Sequence, residues 1–267
     1  MAKIMKLTRD PADSLVMKRL DHPNVSAKIR RIVLLGAPGV GKGTQARMLS
    51  KVWSIPHIST GELLRSNVAE DTFLGRSVKE IISRGDLVPD SLINEMVEAR
   101  LSEPDTRYGY ILDGFPRTLD QAMWLTELLT KLHGGTPFLP IHVHMGKGQL
   151  LRRITGRRHC PRCLATFNIY ENRPKRNGFC DIDDEGLIQR SDDTEEIAKK
   201  RLEAYDALTM PIIRYFQSCV RFVEVSGDGP IEWITQRILG AYRLVTFEVL
   251  IEEVRATPQT ADGFQGK

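Results

Sequence analysis

No run of about 18 to 20 unbroken apolar residues occurs in this chain of 267 residues, so no segment reads as a membrane-spanning helix and no membrane partner is expected. Cysteine is scarce: four in the whole chain, too few to build a disulfide scaffold. Aromatics make up only 7%. No apolar stretch near the start has the character of a secretory signal, and no internal repeat is visible. Charge of one sign is in only slight excess, with a formal net charge of +4. That suits an anionic ligand without singling out nucleic acid over nucleotide. At 41% hydrophobic and 27% charged the composition excludes global disorder, and the length suffices for one or two domains with a sizeable core.

The ends read as appendages. Residues 1–31 hold eight Lys or Arg, with Pro11 and Pro23 interrupting any helix. Asp10, Asp13 and Asp21 count against a mitochondrial presequence, which is poor in acids. The cytoplasm is the compartment expected, with the mitochondrion as the alternative. Residues 1–28 are expected to be a surface extension, 29–255 the folded body, and 256–267 a polar tail.

Within the body, short β-type runs alternate with helical patterns. The runs are Arg31-Ile-Val-Leu-Leu35, Tyr110-Ile-Leu112, Pro140-Ile-His-Val-His-Met145 and Val220-Arg-Phe-Val-Glu-Val225. This alternation predicts an α/β fold, a three-layer arrangement with a parallel sheet covered by helices on both faces. Two segments break the rhythm. Residues 59–88 read as a compact helical insert, and residues 156–193 hold three of the four cysteines among many turn formers. Insertions of this kind lie at strand ends, where ligands bind. Cys219 falls in an apolar stretch and reads as a core residue. Ile231, Ile234, Ile238, Tyr242, Val245 and Val249 form a rough helical stripe expected to pack on the core, on residues 14–20, or on a partner chain.

The strongest motif follows the first run: Gly36-Ala-Pro-Gly39-Val40-Gly41-Lys42-Gly43-Thr44, leading into a helical pattern at Ala46, Met48, Leu49 and Val52. Glycines let consecutive N–H groups converge on phosphate oxygens, and the helix N-terminus adds its positive dipole end. Lys42 is placed to reach the β- and γ-phosphates of a nucleoside triphosphate, and Thr44 to stand near Mg²⁺. Gly43, directly after the lysine, departs from the general form of the motif.

This loop, with Ser59-Thr-Gly-Glu-Leu-Leu-Arg65, Asp113-Gly-Phe-Pro-Arg-Thr118, Gly156-Arg-Arg158, Arg190-Ser-Asp-Asp193 and Lys200-Arg-Leu202, closely resembles the adenylate kinase family. The resemblance runs from about residue 31 to 242. It implies a P-loop core (29–58, 89–155, 194–255), an insert binding the nucleoside monophosphate (59–88) and a mobile lid (156–193). The implied reaction is reversible, Mg²⁺-dependent phosphoryl transfer from ATP to AMP, giving two ADP, by a monomer that binds no nucleic acid.

The same resemblance assigns roles to single residues. Arg65 and Arg117 would hold the acceptor phosphate. Arg157, Arg190 and Arg201 would close over the transferring group, and Arg153 would lie against the donor base. Asp113 would serve on the metal side, its other reading being a turn former before Gly114, and Gly114, Phe115 and Pro116 would help bind the nucleotide. The acceptor base would meet Thr60, Gln121 and the backbone of Asp86, Leu87 and Val88; the donor base would rest near Thr166, Phe167 and Gly229. Arginine suits such work because its planar fork binds phosphate oxygens in pairs. Asp193-x-x-Glu196 also fits a helix-capping box, and Asp192 and Asp193 can orient the neighbouring arginines.

Cys160-Pro-Arg-Cys163 is followed by sixteen residues and then Cys180-Asp-Ile-Asp183. Ligands two residues apart let one turn present both to a tetrahedral metal. A redox pair, or cysteines used for packing, are the competing readings. The resemblance favours a structural Zn²⁺ held by Cys160, Cys163, Cys180 and Asp183. His159 is a conceivable substitute ligand but sits adjacent to Cys160. Two other functions stay open at this level: a GTP:AMP phosphotransferase of the same family, and a P-loop and zinc-knuckle module that binds nucleic acid.

Overall fold

The computed structural model describes residues 5–6, 30–133 and 138–256. Its centre is a fully parallel sheet. Across the sheet lie β1 (Met5–Lys6), β8 (Val223–Ser226), β5 (Leu139–His144), β2 (Arg31–Leu35), β4 (Tyr110–Asp113) and β3 (His57–Ser59). The five strands from β8 to β3 form the body of the sheet, and β1 adds two residues to its edge.

Alternation along each strand decides which helices it carries. Ile32 and Leu34 of β2 pack with Ala46, Leu49, Ile238 and Tyr242, from α1 (Lys42–Trp53) and α9 (Ile231–Ala256). Val33 and Leu35 face the other way, onto Val97, Leu125 and Phe216 from α4 (Asp90–Leu101), α5 (Leu119–His133) and α8 (Met210–Cys219). All four β2 side chains are at most 2% exposed. Buried on both faces, the strand reads as an unbroken apolar run, and each such side chain contributes about 1.5–3 kcal/mol of transfer free energy. Because every strand runs the same way, the segments after β2, β4, β5 and β8 all emerge at one edge, where ligands bind in open α/β sheets.

Two groups of elements stand at that edge. Ser59 ends β3 and caps α2 (Thr60–Ala69), accepting from the Glu62 N–H at 3.3 Å. Thr72 caps α3 (Phe73–Ser83) in the same way, through the Gly75 N–H at 3.0 Å. Further on, α6 (Lys147–Thr155) leads into an antiparallel hairpin of β6 (Arg157–His159) and β7 (Thr166–Asn168). That hairpin region has a small core of its own, built on Cys160, Phe167 and Cys180. The chain returns through α7 (Glu195–Ala204) and one π-helical turn, Tyr205–Thr209, to α8. No helix among the described residues is long and apolar enough to cross a membrane.

Several expectations need correction. Cys219 is exposed, not a core residue. The inward stripe of α8 runs through Ile212, Ile213 and Phe216, and Cys219 is its last residue, where the helix ends and Val220 turns into extended backbone. The cap of α7 is Thr194, whose side chain accepts from the Ile197 N–H, so Asp193 closes no capping box. The last strand starts at Val223, three residues into the apolar run, because Val220 still serves as the cap of α8. β3 carries too short a run to be seen in the sequence. Ile234, Ile238, Tyr242 and Val245 of the α9 stripe are buried in the core as expected, whereas Ile231 is only partly buried. Residues 14–20, the Val249 side chain and residues 257–267 lie outside the described residues.

Candidate active site

The loop after β2 owes its path to glycine. Gly36 has φ +146°, and a Cβ there would sit 2.3 Å from the Val143 carbonyl oxygen of β5. α1 then begins at Lys42 behind a left-handed Gly41 that supplies no side-chain cap. The first-turn N–H groups of Lys42, Gly43 and Thr44 have no acceptor within the helix, and this leaves an anion-binding end. Lys42 Nζ curls back to donate to the Gly36 and Ala37 carbonyls at 2.7 and 3.1 Å. Burial, offset in part by Asp113 and reinforced by Arg117, Arg201 and Arg157, pushes its pKa down to about 8. A polyanion would relieve that crowding of positive charge.

Asp113 closes β4, the strand beside the loop, and is 8% exposed. His57 Nε2 lies 3.4 Å from its Oδ2. Burial opposes its ionisation, yet His57 and Lys42 outweigh it and hold the carboxyl below the usual range. Gly114 follows at φ +82°, where a Cβ would stand 2.9 Å from Thr60 Oγ1. Its carbonyl accepts from Thr60 Oγ1 at 3.0 Å and from Arg117 Nε at 2.8 Å. The Phe115–Pro116 peptide between them is cis.

Two adjoining cavities fill the edge of the sheet. Thr60, Arg65, Asp86, Leu87, Val88 and Gln121 line the first. Lys42, Gly36, Pro38, Tyr205 and Thr209 line the second. Arg117 and Arg201 line both. Burial holds Arg117 down at about 10 and Arg190 at about 9, both still protonated at neutral pH. Arg65 is lowered too, by burial, against the pull of Asp192.

The remaining arginines are posted by carboxylates. Arg157 of β6 makes two hydrogen bonds to the fully buried Asp193, and Arg201 of α7 reaches Asp192 at 2.8 Å. Asp192 and Asp193 thus take the orienting role, not the capping one. Among the described residues, Arg190 Nε is buried without a hydrogen-bond partner. Arg190 feels the charges of both Arg157 and Arg65, which draws the three into one field. Arg153 is bound to Glu171 at 2.7 Å and touches the Gly227 carbonyl at 3.4 Å, close in sequence to the exposed Gly229.

Neither Thr166, Phe167, Arg153 nor Gly229 lines the two cavities. Phe167 is 7% exposed and its ring packs with Cys160 and Cys180, as a core residue of the hairpin. Three residues at the site carry no signal in the sequence. Asp90 bonds Gln121 and Thr118, His57 meets Asp113, and Thr209 Oγ1 donates to the Arg117 carbonyl at 3.0 Å. Each is joined to its partner over at least 28 residues of chain.

Ligand atoms of Cys160, Cys163, Cys180 and Asp183 all lie within 4.8 Å of one another. Cys160 Sγ is 3.3 and 3.4 Å from the two Asp183 oxygens, and Cys163 Sγ is 3.5 Å from Cys180 Sγ. Around zinc, bonds of about 2.3 Å to sulfur and 2.0 Å to oxygen set tetrahedral edges near 3.5–3.8 Å, so the donor set fits that ion. All four cysteines are free thiols, with no disulfide among them. His159 is not part of the cluster.

The family model described as adenylate kinase matches residues 34–220. The chain belongs to the adenylate kinase family. It is 45% identical over 211 residues to a protein named adenylate kinase from Caldicellulosiruptor bescii, covering 79% of this chain and 98% of the relative. A protein of the same name from Anaeromyxobacter dehalogenans is 44% identical over 212 residues, covering 78% and 99%. Another from Methanocella arvoryzae is 41% identical over 213 residues, covering 80% and 98%. The chain is therefore an enzyme, a phosphotransferase on a P-loop α/β core, and a role as a mere nucleic-acid-binding module is set aside.

Proposed function

We propose that this adenylate kinase family member transfers the terminal phosphoryl group of ATP to AMP, reversibly, giving two ADP. The observation that carries the reading is the sharing of Arg117 and Arg201 between the cavity of Thr60, Arg65 and Gln121 and the cavity of the phosphate loop. Two polyanions meeting there would have their facing phosphates bridged by the same guanidinium groups. An oxygen of the AMP phosphate attacks the γ-phosphorus, the bond to the β–γ bridging oxygen breaks, and ADP leaves with that electron pair. Such transfers need positioning and charge stabilisation more than covalent help from the protein.

The loop from Gly39 to Thr44 holds the donor phosphates through its N–H groups and Lys42. Arg65 and Arg117 hold the acceptor phosphate; Arg157, Arg190 and Arg201 bear on the group in transit. Thr60, Gln121 and the backbone at Asp86–Val88 take the acceptor base, and the donor base rests near Thr166, Phe167 and Gly229, against Arg153. Mg²⁺, with Thr44 and Asp113 the residues to hold it, supplies neutralisation of the donor's phosphate charge when bound. Zn²⁺ at Cys160, Cys163, Cys180 and Asp183 supplies folding free energy to a segment with only a small core. Residues 59–88 and 156–193 act as the acceptor-binding insert and the lid, whose closure keeps water from the donor. The arginine set of one chain suffices for the transfer, which fits a monomer acting in the cytoplasm.

The test is ADP formation by the purified protein with Mg²⁺ and a matrix of triphosphates against monophosphates. ATP with AMP is expected to give the highest kcat/KM. GTP outrunning ATP at fixed AMP would replace this reading by a GTP:AMP phosphotransferase, and no transfer to AMP would end it.

A further inference from the structure

Asp90, the first residue of α4, belongs to no motif above. Its carboxylate accepts two short hydrogen bonds, from Thr118 Oγ1 at 2.6 Å and from Gln121 Nε2 at 2.7 Å. The oxygen of the same Gln121 amide accepts from the Arg117 backbone N–H at 2.7 Å. Gln121 is 3% exposed and lines the cavity with Thr60, Val88 and Arg117. Both ends of its amide are therefore engaged before any ligand arrives.

A carboxylate only accepts and a backbone N–H only donates. Turning the Gln121 amide over would set its oxygen against Asp90 and its NH₂ against the Arg117 N–H. Both bonds would be lost and like poles brought together. The amide is thus held in one orientation, with one N–H and one oxygen lone pair left over. We propose that Asp90 is a positioning residue that sets acceptor specificity: by locking Gln121, it makes the cavity take 6-aminopurine monophosphates and refuse 6-oxopurine ones. The proposal rests on the AMP-acceptor reading above and deepens it.

The chemistry of the two bases explains why the lock matters. Adenine offers an N6–H donor beside the N1 acceptor; hypoxanthine offers an O6 acceptor beside an N1–H donor. They are nearly identical in shape and opposite in polarity. A glutamine free to turn over serves either base in the same pose, whereas one held by Asp90 and Arg117 serves only the first. A mismatched base leaves buried polar groups unpaired, and that is how sites reach high discrimination.

The experiment compares kcat/KM for AMP and for IMP, with ATP as donor, in the wild type and in Asp90→Asn. The amide introduced there can present its own NH₂ to Gln121, which removes one of the two obstacles to the turned-over orientation and leaves only the Arg117 N–H against it. The AMP-over-IMP preference is expected to fall about ten-fold or more, the scale of one hydrogen bond to a charged group, chiefly through the two KM values. Thr118→Ala frees one Asp90 oxygen and is expected to shift the same ratio less. It also stands in if the first variant does not fold, as a melting curve shows. An unchanged ratio in the folded variants, or AMP and IMP losing equally, would overturn the role. So would a wild type that uses IMP as well as AMP. A wild type that phosphorylates neither defeats the acceptor reading itself, before any variant is made.

Discussion

Arg157 and Asp193 are joined by two parallel hydrogen bonds, Nε to Oδ2 at 2.8 Å and Nη2 to Oδ1 at 2.5 Å. The Asp193 side chain is fully buried and also lies 3.6 Å from Arg201. One carboxylate therefore fixes the first strand of the hairpin to α7 and aims two arginines. Asp193→Ala strips the partner from a largely buried guanidinium, a change that costs about 3–5 kcal/mol in such pairs. It also loosens Arg157 and Arg201, and misplacement near 1 Å can cost about 10²-fold in rate. Urea unfolding and kcat/KM for ADP formation check the two effects on one sample. Full stability in this variant would show that the pair is replaceable by water.

Arg117 is tied into the site through its side chain and both of its backbone groups. Its Nε donates to Gly114, its backbone N–H to Gln121, and its carbonyl accepts from Thr209. Arg117→Ala is expected to lower kcat/KM by about 10³–10⁵-fold, the scale of a single arginine on a transferring phosphoryl group. Arg117→Lys should rescue little, because a point charge does not replace a two-pronged fork. Near-normal rates with unchanged melting would remove Arg117 from the reaction.

How much of this is legible in the sequence depends on whether a residue's partner is near it along the chain. The P-loop can be read because its physics is local: strand, glycines, lysine and helix start all fall within Arg31–Trp53. The arginines stand out only through matching strings, since Arg65, Arg117, Arg157 and Arg201 look like surface arginines one at a time. Asp90 escapes notice because an acid at the start of a helix has an ordinary explanation in the macrodipole; its contact with Gln121 spans 31 residues. The burial of Phe167 is equally hard to foresee from the sequence. The hairpin has so little apolar material that its one central aromatic is drawn into packing around Cys160 and Cys180.

The small hairpin core gives the zinc proposal its consequence. Removing the ion with a chelator should lower the melting temperature by several degrees or more, with hydrogen exchange rising first in residues 156–193. Cys163→Ser should behave like the chelated protein even with zinc present. A purified protein holding about one zinc per chain fits the proposal; no bound metal together with a melting curve insensitive to chelation would refute it.

His142 on β5 supplies the last prediction, because nothing in the phosphoryl-transfer scheme uses it. It is 5% exposed, with Nδ1 3.2 Å from Glu224 and Nε2 3.0 Å from the Tyr205 hydroxyl. The acceptor-only carboxylate settles the polarity: Nδ1–H donates to Glu224, and Nε2 accepts from Tyr205 at the start of the π-helical turn. Burial lowers its pKa below the ordinary histidine value, with Glu224 opposing and His144 and Lys42 assisting. The sign follows from linkage. Below about pH 6.5 the unfolded chain binds this proton before the folded one does, so the stabilisation is complete above that value. It is lost as pH falls from there toward the depressed folded value, at up to ~1.4 kcal/mol per pH unit for one proton. Urea unfolding at pH 7, 6 and 5 should show the decline, and His142→Gln, which cannot be protonated, should flatten it. An equally steep decline in that variant would place the acid sensitivity elsewhere in the molecule.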